Sequence, residues 1–391
     1  MRYSEIVDRI GGKGRDAWNI HFEATQAAAR GEDVIMLSIG EAEFPTPPEF
    51  GAAAIKAIEA GDHHYSAMRG REPLRKAIAE YQGKLMGVTI DPMDIIVLAG
   101  AQNGLISASL LIGGPGTEII APTPTYVTYE AAIAASGSRM VAVPQSPENG
   151  FRIDAASLAA AVTDKSRAIM IANPNNPTGV GCTQDELAAI AEVAKKHDLW
   201  VIMDEVYASL AFDAPHCCMA SIPGMPERTI TIGSLSKSHA MTGWRLGWMT
   251  GPRELIDHAE NLALCMLYGV PGFSQEAATV AVRDGDAVVA HHRELFRRRR
   301  DLVYEALRGV NGISINKPDA GMFVMADVRA TGLSSGDFSW GLFRAEGVSV
   351  LDGSAFGESA DGHIRIAFTV GEEALAEACR RIARYVGTLT G

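Results

Sequence analysis

Lys237 and Asp204 both lie just past a short apolar run, and both side chains could take part in chemistry. Lys237 closes the segment Ser234-Leu235-Ser236-Lys237. A lysine among hydroxyl groups is a candidate for a Schiff base with a carbonyl compound. Asp204 directly follows four apolar residues, so we expect it to be partly buried, where a carboxylate needs a cationic partner. The protonated ring nitrogen of a bound pyridine would be such a partner.

Neighbouring segments could bind an anion and an aromatic ring. Gly100 lies in a small-residue turn that opens a predicted helix, where backbone N–H groups and the positive helix end favour a phosphate. Ser234, Ser236 and Arg245 can add hydroxyl and guanidinium donors to the same anion. Tyr126 offers a flat face to an aromatic ring. These groups together fit a phosphorylated heterocycle held beside a reactive lysine.

An alternation of strand and helix in the middle of the chain must position these residues. Short runs rich in Ile and Val predict strands without polar alternation, as a sheet covered on both faces requires. These runs are Ile95–Ala99, Glu118–Ala121, Met140–Val143, Ala168–Ala172, Leu199–Met203 and Thr229–Ile232. Two helices have a predicted capping box, at Thr46–Glu49 and at Thr183–Glu186. Because ligands of open parallel sheets gather outside the carboxyl ends of the strands, the residues that follow these runs should meet in one site.

The C-terminal part of the chain has a different pattern. A long helical region is predicted from Gln275 to about Leu307, and its arginine run Arg297–Arg300 predicts a solvated helix face because the whole chain is acidic. Short strands at Gly321–Asp327, Val348–Leu351 and His363–Phe368 then mix with helices at Ser335–Glu346 and Glu372–Tyr385. We predict an N-terminal arm that joins the smaller domain (1–45), a large α/β domain with a mostly parallel sheet (46–282), and a small α+β domain (283–391).

Charge and composition exclude several classes of function. The formal net charge of -12 argues against broad attraction to nucleic acid or to an anionic membrane. No apolar stretch has the length of a membrane-spanning helix and the N-terminus lacks the apolar core of a signal peptide, so we expect a cytoplasmic protein. The five cysteines are scattered and form no CxxC pair, which predicts neither a disulfide framework nor a metal site. Small-molecule substrates are therefore expected.

Three segments in a fixed order carry a resemblance to a known family. They are NPNNPTG (173–179), DEVY (204–207) and SLSKSHAMTGWRLGW (234–248). From Gly40 to Arg365 the chain resembles the class I/II aminotransferases of pyridoxal phosphate (PLP) fold type I. The resemblance implies a large PLP-binding domain with a mostly parallel sheet between helices and a smaller α+β domain built from both termini. It also implies PLP as the cofactor, a homodimer, and ping-pong exchange of an amino group between a 2-amino acid and a 2-oxo acid.

The resemblance implies a role for individual residues as well. Lys237 would hold PLP and move the proton, Asp204 would pair with the ring nitrogen, and Arg365 would bind the substrate carboxylate. The other implied positions are Tyr207 and Asn176 at the ring hydroxyl, with Asn176 also facing substrate, Tyr126 on the ring face, Ala101, Gln102, Ser234, Ser236 and Arg245 at the phosphate, Gly40 at the substrate carboxylate, and Tyr65 at the phosphate of the neighbouring subunit. Tyr129 could stack on the ring in place of Tyr126.

Alternatives remain within the same family of folds. A carbon–sulfur β-lyase or a decarboxylase would keep nearly all of these residues, whereas the short segment before residue 46 argues against a PLP-sensing transcription regulator. An inactive interaction protein is disfavoured by the intact Lys237, Asp204 and Arg365. Gln102 stands where some aspartate-specific relatives have lysine, and Met266–Val270, expected near the active-site mouth, contains no arginine. We therefore expect a neutral or apolar amino donor, with aspartate as the alternative.

Overall fold

The computed structural model describes residues 2–11 and 13–391, and its strands form three sheets. The strands are β1 (Ile35–Met36), β2 (Ile95–Leu98), β3 (Glu118–Thr123), β4 (Arg139–Pro144), β5 (Ser166–Ala172), β6 (Trp200–Asp204), β7 (Thr229–Ser234), β8 (Gly247–Thr250), β9 (Ser314–Ile315), β10 (Phe323–Asp327), β11 (Val348–Ser349), β12 (Leu351–Asp352) and β13 (His363–Ala367).

Helices cover the sheets and connect most of the strands. They are α1 (Ile6–Arg9), α2 (Asn19–Ala29), α3 (Pro48–Glu59), α4 (Glu72–Met86), α5 (Ala101–Ile112), α6 (Tyr129–Ala135), α7 (Ala155–Ala160), α8 (Gln184–Lys196), α9 (Arg253–Met266), α10 (Gly272–Asp284), α11 (Asp286–Leu307), α12 (Ser335–Glu346) and α13 (Glu372–Thr390).

The central sheet has seven strands in the order β2-β8-β7-β6-β5-β3-β4. Only β8 runs antiparallel to its neighbours, so the predicted mostly parallel sheet is confirmed. Every residue of β2, β3 and β7 is buried, which explains why these runs lack polar alternation. The antiparallel β8 was missed, because the four residues Gly247–Thr250 begin with glycine and show no strand periodicity.

A second, smaller set of strands joins the two ends of the chain. Strands β12, β13, β10 and β9 form an antiparallel sheet, and β1 from the N-terminal part pairs with β11. The predicted single strand Val348–Leu351 is therefore two short strands that belong to different sheets. Ile35 and Leu37 lie in the same hydrophobic core as Phe323 and Ile364. The fold class is thus as expected, whereas the boundaries at residues 45 and 282 stay predictions.

One of the two predicted capping boxes is present. Thr183 accepts a hydrogen bond from the backbone N–H of Glu186, and the Glu186 side chain accepts one from the backbone of Thr183. The box at Thr46–Glu49 is wrong, because α3 begins after Pro47 without a side-chain cap. Instead, the Thr46 hydroxyl donates to the carbonyl of Ala240, 2.6 Å away, and so ties two loops together.

The predicted long helix is two helices, and half of its arginine run is buried. Gly285 separates α10 from α11. Arg299 and Arg300 are 4% and 1% exposed, so the prediction of a fully solvated arginine face is wrong. Arg299 Nη2 donates to Glu43 Oε1 at 2.5 Å, and Arg300 Nη1 donates to Asp213 Oδ2 at 2.5 Å. Buried guanidinium groups need such partners, and here they join distant segments.

In the part of the chain that the structure describes, no helix is long and apolar enough to cross a membrane.

Candidate active site

A cavity of about 300 Å³ lies where the carboxyl ends of β2, β3, β5, β6 and β7 meet the loop around Gly40 and the strands β10 and β13. Such a position is where open parallel sheets bind their ligands. Its lining includes the predicted residues Gly40, Ala101, Gln102, Tyr126, Asn176, Asp204, Tyr207, Ser234, Ser236, Lys237, Arg245 and Arg365. The fold therefore brings together side chains that are more than 300 positions apart in the sequence.

Asp204 is buried at the end of β6, and its partner was not predicted. The hydroxyl of Tyr129 donates to Asp204 Oδ2 at 2.9 Å, and Tyr129 itself is fully buried. Tyr126 is among the residues described as lining the cavity and Tyr129 is not, so stacking on Tyr126 stays the prediction. Burial raises the pKa of Asp204 to about 6, while the hydrogen bond from Tyr129 lowers it. A buried carboxylate whose donors, the Tyr129 hydroxyl and the backbone N–H of Val206, are both neutral is suited to pair with a cation from a ligand.

Lys237 lies in the same cavity, beside the loop at Gly40. Its Nζ donates to the carbonyl oxygen of Gly40 at 2.7 Å. Burial, followed by the positive charge of Arg365, lowers the pKa of Lys237 to about 8, and the carboxylates of Glu41 and Asp204 oppose that shift. Such an amine exists partly in its neutral form near neutral pH, so it can act as a nucleophile and exchange protons.

Arg365 is 1% exposed and is held between two aromatic rings. Its Cζ lies 4.1 Å from the ring centre of Phe323 and 5.1 Å from that of Phe356. Nη1 donates to Asn176 Oδ1 at 3.1 Å and Nη2 to the Ser38 carbonyl at 2.7 Å, while Nε is buried without a partner in the described part of the chain. A guanidinium fixed in this way, with N–H groups to spare, fits a carboxylate ligand.

The backbone at Gly40 lies very close to the ring of Phe323, which packs on Arg365. A Cβ built on Gly40 would lie 2.2 Å from Cζ of Phe323, so any larger residue would displace the ring. Glycine at this position therefore keeps the backbone next to both Lys237 and Phe323.

The first turn of α5 and the loop before β8 form a corner whose donors could bind an anion. Gly100 has a φ of 82°, and a Cβ there would lie 2.5 Å from Nη2 of Arg245. Arg245 itself has a left-handed φ of 52°, and its guanidinium lies at the start of the helix. The Ser234 hydroxyl accepts from the backbone N–H of Ser236 at 3.1 Å and lies 3.0 Å from the carbonyl of Leu246. Helix N–H groups, a guanidinium and two hydroxyls together suit a phosphate.

Aromatic and amide side chains border the space between this corner and Asp204. Tyr207 is 4% exposed and packs edge to face on Phe323, with ring centres 5.9 Å apart. Burial raises the pKa of the Tyr207 hydroxyl far above its ordinary value, so it stays a hydrogen-bond donor. Tyr126 lies edge-on to Tyr129 at 6.4 Å and lines the cavity with Asn176.

Tyr65 and Met266–Val270 lie outside this cavity. Tyr65 is 83% exposed, and its ring centre is 4.6 Å from that of Tyr268. We expected Met266–Val270 near the mouth of the active site. None of these residues is among those described as lining the cavity of the single chain. Tyr268 and Gly269 both have positive φ, and this bend carries the segment towards Ser66 instead.

Eight of the described lining residues were not predicted, and two of them, an indole and a carboxylate, could bind a ligand. Trp18, at the end of the turn Lys13–Trp18, and Glu41 both line the cavity. Glu41 could have been found from its place directly after Gly40, whereas nothing in the local sequence connects Trp18 with the site. Within residues 2–11 and 13–391 no group of three or more His, Cys, Asp or Glu side chains is arranged to hold a metal ion.

Comparisons with known proteins agree with this geometry. A family model described as aminotransferase class I and II matches residues 32–382. The chain is 48% identical to the arginine–pyruvate transaminase AruH of Pseudomonas aeruginosa over 391 residues, 100% of both chains. It is 36% identical to aromatic-amino-acid aminotransferase 2 of Thermococcus litoralis, covering 91% of this chain and 92% of the relative. The crystal structure of the aspartate aminotransferase from Rhizobium meliloti matches with a TM-score of 0.94 at 30% identity, over 100% of both chains.

Proposed function

The chain belongs to the class I and II aminotransferases, and we propose that it uses PLP, held by the cavity residues, to move the amino group of a 2-amino acid to a 2-oxo acid in a ping-pong cycle. The observation that carries this proposal is the convergence of Lys237, Asp204 and Arg365 on one cavity. A reactive amine, a buried carboxylate and a carboxylate-binding guanidinium are the three groups that this chemistry requires.

The residues present fit the cofactor. Asp204 would pair with the ring nitrogen, because it is a buried carboxylate whose side chain has a single side-chain donor, Tyr129. Because Gly100 has no side chain, the Arg245 guanidinium can lie close to the backbone at the start of α5, where the phosphate would bind. The remaining proposed contacts are Tyr207 and Asn176 at the ring hydroxyl, Tyr126 on the ring face, and Ala101, Gln102, Ser234 and Ser236 at the phosphate. When bound, PLP supplies an electron sink for the bond broken at the substrate Cα.

Lys237 would act on the proton at the substrate Cα. Its lowered pKa of about 8 gives a mixture of neutral and charged amine near neutral pH, so the same Nζ can accept a proton and return it. The hydrogen bond from Nζ to the Gly40 carbonyl places this amine beside the loop where substrate would enter.

Arg365 would set the orientation of the substrate. Phe323 and Phe356 hold its guanidinium in place, so a bound carboxylate adopts one position. A fixed carboxylate in turn fixes which Cα bond is exposed to Lys237, and this alignment favours removal of the proton over loss of another group. Asn176, which accepts from Arg365, and the backbone at Gly40 would complete the substrate-binding groups.

The donor is proposed to be a non-acidic amino acid, and the relative named for arginine and pyruvate supports a long donor side chain with pyruvate as acceptor. Ile39, Leu105 and Phe323 give the cavity an apolar part. The cationic side chains of the lining, Lys237, Arg245 and Arg365, all have other proposed roles. A second substrate carboxylate would thus be buried without a partner, which is costly.

We expect methionine and phenylalanine to exceed aspartate in kcat/KM by at least about tenfold, equivalent to about 1.4 kcal/mol of transition-state binding. The measurement is steady-state transamination of each donor with pyruvate as common acceptor. Equal or better use of aspartate would contradict the proposed donor class. Release of ammonia and pyruvate from cystathionine would instead favour the β-lyase, and release of carbon dioxide would favour the decarboxylase.

The active form is proposed to be a homodimer in which Tyr65 completes the phosphate site of the second subunit. The exposed aromatic pair of Tyr65 and Tyr268 supports this, because such a pair is typical of an interface. Sedimentation at assay concentration should give a two-fold dimer as the active species. A fully active monomer would exclude this role for Tyr65. The cytoplasmic location stays a prediction.

A further inference from the structure

Glu41 is an acidic side chain of the cavity for which the proposed cycle has no use. The acidic residues of the described lining are Asp204 and Glu41, and Asp204 has its role at the cofactor. Glu41 directly follows Gly40, whose backbone borders Lys237 and the proposed carboxylate site. A carboxylate at this place faces the region that the donor side chain must occupy.

The Glu41 side chain is exposed, and in the described part of the chain a single hydrogen bond holds it without neutralising its charge. Thr242 donates its hydroxyl proton to Oε1 of Glu41, whereas no hydrogen bond or ion pair in the described part of the chain uses Oε2. The charge of Glu41 acts on the interior, since it raises the pKa of both Lys237 and His21 against the larger lowering effect of burial. Glu41 lines the cavity and is exposed to solvent, so its carboxylate lies at the open side of the cavity, next to Gly40.

Trp18 lines the same cavity on an anchored N-terminal segment. Ile20, two residues further on, is buried against Leu351 and Phe356, and Phe356 in turn packs on the arginine of the carboxylate site. The Trp18 ring lies edge to face with His21, with ring centres 6.0 Å apart. Burial, followed by the charge of Arg365, lowers the pKa of His21, which favours the neutral imidazole and so reduces repulsion of a cation.

We propose that Glu41 and Trp18 form the subsite for the cationic end of the donor side chain, with a guanidinium as the best ligand and an alkylammonium as the second. This inference rests on the proposed aminotransferase function and adds to it the residues that select the donor. A guanidinium can donate to the free carboxylate oxygen and cover an indole face at the same time. The same carboxylate repels an acidic side chain, which adds a reason for the poor use of aspartate.

Arginine and citrulline give the sharpest test, because citrulline has the same shape without the charge. The wild-type holoenzyme should have a kcat/KM for arginine at least about tenfold above that for citrulline, and Glu41→Gln should reduce this ratio to near one. The ratio cancels any general effect of Glu41 on Lys237, since both donors use the same amine. Glu49→Gln is the matched control: it removes an exposed charge in the first turn of α3, has no ion pair in the described chain, and should leave the ratio unchanged.

A binding measurement that involves no turnover tests the proposed subsite independently. Calorimetric titration with 5-guanidinopentanoate, which is arginine without its amino group, should give a dissociation constant at least about fivefold weaker for Glu41→Gln than for the wild type and for Glu49→Gln. If methionine is transaminated but arginine is used no better than citrulline, or if Glu41→Gln keeps the wild-type ratio, the subsite is wrong and the proposed function stands. If no amino acid yields a 2-oxo acid, the proposed function itself fails.

Discussion

Replacing Lys237 by alanine should abolish multiple-turnover transamination in a protein that still folds. The loss of kcat should be at least about 1,000-fold, within the range for removing a general acid–base group, because no other amine lines the described cavity. Folding should survive, since burial already disfavours the charged form of this lysine and alanine removes that cost. The measurement is the rate of 2-oxo acid formation together with thermal unfolding followed by circular dichroism.

A surface lysine provides the control for this change. Lys196 is exposed at the end of α8 and has no ion pair in the described chain, so Lys196→Ala should keep wild-type turnover. Borohydride reduction of the wild-type holoenzyme, followed by peptide mapping, should place the cofactor on the peptide that contains Lys237. Cofactor attached to a different lysine would remove Lys237 from the mechanism.

The sequence was sufficient to predict six of the seven strands of the central sheet and the edge at which the candidate site lies. Runs such as Ala168–Ala172 and Leu199–Met203 are apolar throughout, which is the mark of a strand buried on both faces, and the functional residues follow them directly. Arg365 and Gly40 came from the resemblance to the family, because no local pattern places the two ends of the chain beside this edge.

What the sequence could not give are contacts made by packing between distant segments. Tyr129 is the first residue of α6, and only the fold brings its hydroxyl to Asp204, which lies 75 positions later in the sequence. Thr46 has the pattern of a cap, yet a loop nearly 200 residues away takes its hydroxyl. Arg300 lies in a run of charges that is typical of a surface, and its burial depends on Asp213. In each case tertiary contacts override a local rule.

Replacing Asp204 by asparagine should lower kcat/KM by at least about 100-fold, the size expected when an electrostatic group at a reacting centre is removed. Asparagine has nearly the same shape and can still accept from Tyr129, so the change removes the charge while keeping the packing. The buried carboxylate carries a desolvation penalty, and the variant should unfold at the same or a slightly higher temperature. Near-wild-type turnover with PLP would exclude the proposed pairing of Asp204 with the ring nitrogen.

Tyr129→Phe is the matched variant, because it leaves the carboxylate and removes only its donor. The hydrogen bond from Tyr129 stabilises the ionised form of Asp204 and lowers its pKa, so its loss must raise that pKa. Ionised Asp204 is lost as the pH falls through its pKa, and a higher pKa means that the loss begins at a higher pH. The acid side of the kcat/KM profile of Tyr129→Phe should therefore shift upward, with little change above neutral pH, whereas Asp204→Asn should be impaired at every pH. An unshifted acid side would mean that Tyr129 supports only packing. A shift of the acid side without a loss of activity at high pH would show that Tyr129 acts through Asp204. It would keep the Asp204 carboxylate ionised in the pH range where the enzyme works.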